Sequence, residues 1–491
     1  MLPELKISKR EFLKSAAAAA LAPVVLAASS STSSQQSRPP NVVLICTDDL
    51  GYGDLSCYGS GVSRRGDGRV ALRQISRSTG SGVYTPNLDR MAREGVLFHH
   101  FNSAAPVCSP SRASLLTGRY PTRVGVVDVL FPDDNVGLSE SETTIADMLK
   151  PLGYASMCVG KWHLGSQPQF LPTNRGFDEF YGLPYSHDMS PLPLMHNTDV
   201  IEEPVDLTTL MRRCTEQAVT FIANKKASPF FLFFAPFLPH IPLIVSDQFR
   251  GRSGMGAYGD AVQEVDWSVG QILNALMANG IDSDTLVIFT SDHGPWYQGS
   301  SADLRGRKGE TFEGGVRVPC IARFPGRIPR GLVSQELASN MDVLPTVAAL
   351  CGAPLPPNPL DGINVWPLLT GATMDASRDA LLYFENWHLQ CARVLNWKLH
   401  VARPNCLPWG PVPILGRMNL PLAKPELYRL DADPGERCDV ADDYPEVVSL
   451  IRGRIEALLS SFPARVRDDW ACTMGTKVQS TPIGALPVLK E

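Results

Sequence analysis

Asn41-Val42-Val43-Leu44-Ile45-Cys46-Thr47 is an unbroken apolar run that stops at a pair of acids, Asp48-Asp49. Seven residues with no polar alternation read as a strand buried on both faces, the kind that parallel sheets contain. Residues 154–160 (YASMCVG), 230–235 (FFLFFA), 285–291 (TLVIFTS) and 320–324 (CIARF) repeat the pattern. Helical periodicity separates these runs at 87–94, 144–152, 215–224, 260–279 and 342–350. Such alternation predicts an α/β fold, a large mostly parallel sheet with helices on both faces.

Beyond Leu369 the pattern changes to strand-like segments (ALLYFE, RVLNWKLHVA, ELYRLD), a turn at Asp433-Pro434-Gly435 and a helix over 445–461. The expected organisation is therefore a catalytic domain over 41–370, a smaller α+β subdomain over 371–465 and a tail over 466–491. Within the first domain, 61–83 (GVSRRGDGRVALRQISRSTGSGV) holds five arginines and few apolar residues, and is expected to be a basic insertion loop at the surface.

The chain has 491 residues, 44% of them hydrophobic, so it is a globular protein with a sizeable core. Lys plus Arg number 45 against 50 Asp plus Glu, a net charge of −5, which excludes the basic field of a nucleic-acid binder. Any anion site must be built from a few local cations. The 11 cysteines include no CxxC pair, which argues against a zinc ribbon. Cys46 and Cys158 lie in apolar runs and read as buried small hydrophobes, whereas Cys351, Cys391, Cys406, Cys438 and Cys472 are open to disulfide pairing.

Residues 1–28 carry Lys6, Lys9, Arg10 and Lys14 ahead of an apolar stretch ending in small residues, the layout of an export signal. The run Ser8-Lys9-Arg10-Glu11-Phe12-Leu13-Lys14 resembles a twin-arginine signal with Lys in place of the first Arg. Its apolar part is shorter than the roughly 20 residues that span a bilayer. A periplasmic or secreted protein is expected, with no stable membrane insertion after signal removal and a Ser-rich linker over 29–40.

The carboxyl ends of strands in an open α/β sheet are where ligands gather. Here they lead into Asp48-Asp49, Lys161-Trp162-His163, His240 and Asp292-His293. One such end has a bland explanation; four feeding one face point to a site. The segment from Pro106 to Arg119 (PVCSPSRASLLTGR) reads as a helix start, with Ser109 as N-cap, Pro110 at the first helical position and Gly118 closing the helix. Cys108 then precedes a helix N-terminus that favours anions.

Cys108-x-Pro110-Ser111-Arg112 followed by Leu116-Thr117-Gly118-Arg119 resembles the signature of the type I, formylglycine-dependent sulfatases. Thr47–Asp54 (TDDLGYGD), 85–89 (TPNLD), 160–165 (GKWHLG), 182–188 (GLPYSHD), Pro239-His240, 291–294 (SDHG) and 308–315 (KGETFEGG) resemble further blocks in the family's order. The Tyr-Ser-His-Asp block is closest to the arylsulfatase A and N-acetylgalactosamine-6-sulfatase branch.

The resemblance implies an alkaline-phosphatase-like fold and a calcium-dependent sulfuric ester hydrolase. It implies that Cys108 is oxidised by a formylglycine-generating maturation enzyme to Cα-formylglycine, whose gem-diol is the nucleophile. One Ca²⁺ is expected on Asp48, Asp49, Asp292 and His293, in contact with the modified Cys108. Arg112, Lys161 and Lys308 are expected to hold the diol and the sulfuryl oxygens. His163 would assist the diol, and His240, alone or with Lys308, would protonate the leaving alcohol. Ser186 matches a sulfate-contacting serine, so the expected substrate-binding set is Ser186, Lys161, His240 and Lys308 around a sulfated small molecule or glycan. Trp387, Trp397 and Trp409 are candidates for a carbohydrate platform. Two alternatives stand beside this: a phosphoester or phosphonate monoester hydrolase of the same superfamily, and a non-catalytic sulfoglycan-binding protein.

Overall fold

The apolar run at Asn41–Thr47 becomes strand β1, all seven residues of it buried, at the heart of a twelve-stranded sheet. The computed structural model describes residues 38–475 apart from 60–61, 65–69, 73–81, 374–377, 407–408 and 410–417. The expected signal, nearly all of the linker and the end of the expected tail lie outside the described residues. From Pro39 onward the chain forms one compact unit.

In chain order the large sheet contains β1, β2 (Val62–Arg64), β3 (Val70–Leu72), β4 (Val96–Asn102), β5 (Ala155–Lys161), β6 (Glu179–Leu183), β7 (Leu194–His196), β8 (Asp199–Glu202), β9 (Phe230–Ala235), β10 (Thr285–Ser291), β11 (Cys320–Arg323) and β12 (Leu332–Ser339). Their spatial order is β2-β3-β12-β4-β11-β10-β1-β9-β5-β6-β7-β8. The middle, β10-β1-β9-β5-β6, is parallel throughout. Antiparallel pairs flank it, including β10 with β11, so the run at 320–324 is a strand of the opposite sense to its neighbour. Alternate residues of β1 feed two cores: Val42, Leu44 and Cys46 on one face, Val43 and Ile45 on the other. That division is the α/β layering the sequence predicts.

Register carries the acids into place. Thr47 pairs with Ser291 across β1 and β10, so Asp48 and Asp292 leave adjacent strands together. Gly160, at φ 104, lies against β9, where an added Cβ would meet the Ala235 carbonyl oxygen at 2.1 Å. Only glycine permits this approach one residue before Lys161.

Four strands, β13 (Ala380–Glu385), β14 (His388–Val394), β15 (Trp397–Pro404) and β16 (Asn419–Arg429), form an antiparallel sheet, followed by the helix Pro445–Leu459. Buried ion pairs join it to the main domain. Glu313 meets Arg317 at 2.5 Å, Arg393 at 3.2 Å and Lys398 at 3.0 Å, and its backbone N–H donates to Glu436 at 2.6 Å.

Three expectations are revised. Residues 464–475, most of them within the expected tail, form a helix that buries Val466 and Trp470. The insertion at 61–83 contributes β2 and β3, and β3 pairs with β12, which extends the sheet edge. The helix at the Cys108 segment is Cys108–Thr117 with Val107 as N-cap, so Cys108 lies in its first turn; Gly118 closes it at φ 70 as expected. Cys46 and Cys158 are fully buried, and Cys351, Cys391 and Cys438 are free thiols.

Candidate active site

The strand ends and the Cys108 helix converge on one cavity of about 230 Å³, whose lining includes Asp49, Cys108, His163, Ser186, His240 and Lys308. Asp49 and His163 adopt φ 63 and φ 61 without being glycine, a strained backbone at two residues of the lining. Asp54 fixes the turn that carries Asp49, accepting from Gly51 N–H at 2.7 Å, Ser300 N–H at 2.8 Å and the Tyr258 hydroxyl at 2.5 Å.

Cys108 Sγ stands 3.2 Å from His293 Nε2 and 3.6 Å from Asp48 Oδ1. Burial by itself raises a thiol, but Lys161 and Lys308 outweigh it and lower the Cys108 pKa. Lys161 donates to Asp48 Oδ2 at 2.6 Å and to Ser186 Oγ at 3.1 Å; Lys308 donates to Asp49 Oδ1 at 2.8 Å. Despite burial, Asp49 and the Cys108 sulfur hold the Lys308 ammonium above its ordinary value. Arg112, fully buried, donates from Nε to Asp292 Oδ2 at 3.1 Å and from Nη1 to the Lys161 carbonyl at 3.1 Å, with Nη2 ion-paired to Asp292 Oδ2 at 3.0 Å. Its contacts are therefore to the carboxylates behind the cavity wall.

The imidazoles divide by environment. His163 donates from Nε2 to the Leu130 carbonyl at 2.9 Å, which leaves Nδ1 without a partner; burial, Lys161 and Arg112 keep the ring neutral. Burial and Lys308 likewise hold His240 well below an ordinary imidazole, with Nε2 3.9 Å from Asp49 Oδ2. His293 is opposite: burial lowers it, but Asp292, Cys108 and Asp49 push it up to about 9.

Two overlapping quartets, Asp48-Asp49-Cys108-His240 and Asp48-Cys108-Asp292-His293, each hold their ligand atoms within 4.8 Å of one another. These residues fit a divalent cation. Asp49 Oδ2 is buried without a hydrogen-bond partner, and burial pushes that carboxyl up to about 7, the mark of a carboxylate short of positive charge. Three carboxylates supply hard oxygen donors, and His293, whose Nδ1 lies 2.9 Å from the Gly294 carbonyl, turns Nε2 toward them.

All eleven positions expected from the sequence gather here at two depths: Asp49, Cys108, His163, Ser186, His240 and Lys308 line the cavity, and Asp48, Arg112, Lys161, Asp292 and His293 lie buried behind the lining. Of the three tryptophans, only Trp409 reaches the cavity; Trp397 packs on Tyr444 and Trp387 lies under Arg465. Sequence reasoning missed Phe131, Trp296 and Asp188 in the lining, and Asp54 and Ser111 behind it. Asp188 and Asp54 lie inside motif blocks; Phe131 and Trp296 carry no pattern of their own.

The mixed, mostly parallel sheet with Cys108 at a helix start beside clustered carboxylates and buried lysines has the alkaline-phosphatase-like fold of its structural neighbours. Residues 40–353 match the Sulfatase family, and 307–400 match the C-terminal region of N-sulphoglucosamine sulphohydrolase. Human arylsulfatase A is 36% identical, covering 87% of this chain and 90% of its own length. Human N-acetylgalactosamine-6-sulfatase is 35% identical, covering 88% of each. A sulfatase structure from Pseudoalteromonas sp. superposes with TM-score 0.73 at 28% identity, covering 87% of this chain and 92% of that one. The chain belongs to the sulfatase family and is an enzyme of sulfate ester hydrolysis. No described helix is long and apolar enough to cross a membrane.

Proposed function

We propose that the chain hydrolyses sulfate monoesters at an aldehyde-hydrate nucleophile made from Cys108, with one calcium ion held by Asp48, Asp49, Asp292 and His293. The observation that carries this reading is the position of Cys108: first turn of a helix, 3.2 Å from His293 and 3.6 Å from Asp48, on the wall of a cavity it shares with Lys308. Hydrated formylglycine supplies one hydroxyl to attack sulfur and a second to release sulfate.

The chain's own residues do the rest. The Lys308 ammonium and the Ser186 hydroxyl, which Lys161 orients, face the sulfuryl oxygens and stabilise charge there. Arg112 acts through Asp292 and Asp48, holding both carboxylates in the orientation that binds the cation. Neutral His163 offers Nδ1 as a proton acceptor on the nucleophile's side. Protonated Lys308 is the proton source on the leaving-group side, and His240 hydrogen-bonds the departing oxygen. Export by the N-terminal signal would bring the chain to its substrate after maturation.

The test is turnover of 4-nitrophenyl sulfate against 4-nitrophenyl phosphate, using protein from a host with the maturation enzyme. Preference for the sulfate, lost in Cys108→Ala, is the expected result. Preference for the phosphate would favour the phosphoester reading, and full activity in Cys108→Ala would remove the nucleophile.

A further inference from the structure

A second chamber of about 290 Å³ adjoins the reaction cavity, and the two share Val129, Phe131 and Trp409. Each alone is at or below the roughly 300 Å³ where small-molecule sites begin; taken together, the two adjoining spaces fall within that range. Phe131 and Trp409 are 53% and 54% exposed, unusual for large apolar side chains, and Trp409 stands edge-on to Trp296 at 6.3 Å. They border both spaces with aromatic surface.

The far walls are apolar: Pro106, Val107 and Pro110 from the Cys108 turn, Pro121 and Val127 beyond it, and Phe384 from the C-terminal sheet. Three polar side chains reach the chamber, and each is engaged within the protein. Asp128 Oδ1 accepts from Val129 N–H at 2.8 Å, and Glu385 Oε2 accepts from Gln390 Nε2 at 2.5 Å. The Asn386 amide, oriented to satisfy its neighbours, donates to Asp128 Oδ2 and the Val127 carbonyl, both at 3.2 Å.

No cation lines this chamber among the described residues, and Lys308, the lining cation of the reaction cavity, is bound to Asp49. A polysulfated glycan needs cations for each further sulfate, and a polyhydroxylated sugar needs polar groups with unused hydrogen bonds. Among the described residues the chamber has no cation, and its three polar side chains already hold hydrogen bonds within the protein. Apolar walls bordered by Phe131 and Trp409 match a flat hydrophobic body, whose burial is favourable at about 25 cal/mol per Å².

We infer that the second chamber receives the body of an extended hydrophobic alcohol, of sterol or polycyclic aryl type, whose sulfate lies at Cys108. This rests on sulfate ester hydrolysis as proposed above, and it assigns the chamber as the specificity determinant for that reaction. The test uses the full matured chain with 4-nitrophenyl sulfate, a steroid 3-sulfate and galactose 6-sulfate, in wild type and in Val127→Trp, which fills the chamber. The steroid ester should be preferred, and Val127→Trp should lower its kcat/KM by about tenfold or more relative to 4-nitrophenyl sulfate. The unsulfated steroid should inhibit the wild-type enzyme competitively, a readout that needs no variant.

Turnover of 4-nitrophenyl sulfate with no inhibition by the steroid would overturn the chamber's assignment and leave the reaction intact. Preference for galactose 6-sulfate, sensitive to Val127→Trp, would also overturn it. Failure on all three esters would instead remove the reaction itself.

Discussion

Lys308 and Asp49, 259 residues apart in the chain, meet at 2.8 Å with both side chains buried. The pair joins the turn after β1 to the loop ahead of Glu313, and it gives the reaction cavity its lining cation. Lys308→Ala removes both the ammonium facing the substrate and the countercharge of Asp49. Turnover of 4-nitrophenyl sulfate is expected to fall by about 10²–10³-fold. A fall below about threefold would show that Lys308 plays no part in charge stabilisation.

Arg112 is a different case because its work is behind the wall. Arg112→Ala leaves Asp292 and Asp48 buried without their guanidinium, at a cost of about 3–5 kcal/mol. Urea unfolding should show the loss as a lower midpoint, alongside lost activity. A variant as stable as wild type would refute the bracing role.

Gly160→Ala tests the close approach of β5 to β9. With φ 104 and a carbonyl oxygen 2.1 Å from the new Cβ, the backbone must shift at Lys161. Destabilisation of more than about 1 kcal/mol is expected, with reduced turnover. Wild-type thermal unfolding and activity would contradict the geometry.

Metal dependence follows from the carboxylate cluster. Dialysis against a chelator should abolish turnover and lower the unfolding temperature, and calcium should restore both. Undiminished activity after chelation would contradict the proposed ion.

The last helix supplies a pH-dependent contact. His388 Nδ1 lies 2.5 Å from Asp469 Oδ1, and that hydrogen bond raises the imidazole's pKa. A raised pKa means the stabilisation is fully present below the unfolded value of about 6.5 and disappears as pH rises through the folded value. Because the side chain is 42% exposed, the effect is below about 1 kcal/mol. His388→Ala should therefore lower the unfolding temperature slightly at pH 6 and not at pH 9; equal losses at both would refute it.

The central strands were legible because β1, β5, β9 and β10 are uninterrupted apolar runs, and Asp48, Asp49, Lys161, His163, His240, Asp292 and His293 were legible at their ends, whereas Cys108, Arg112, Ser186 and Lys308 were read from motif blocks outside those strands. β4 was not, since His99 and His100 interrupt its apolar run and are half-buried beside Arg317. β12 was hidden by Gln335 and Glu336 at a bulge that breaks its alternation. The Cys108 helix begins earlier than Ser109 suggests because Val107, a residue with no capping side chain, takes the N-cap in extended conformation. Depth was equally unreadable: that Arg112 lies behind the wall while Lys308 lines it depends on packing between distant segments. The paired cavities depend on Val127, Phe131 and Phe384, apolar residues that no local pattern marks as functional.

The most direct measurement is mass spectrometry of the peptide containing Cys108, taken from protein made beside an active maturation enzyme. The account predicts a side chain in which CHO replaces CH₂SH. An unmodified thiol, in a host that converts other sulfatases, would contradict it.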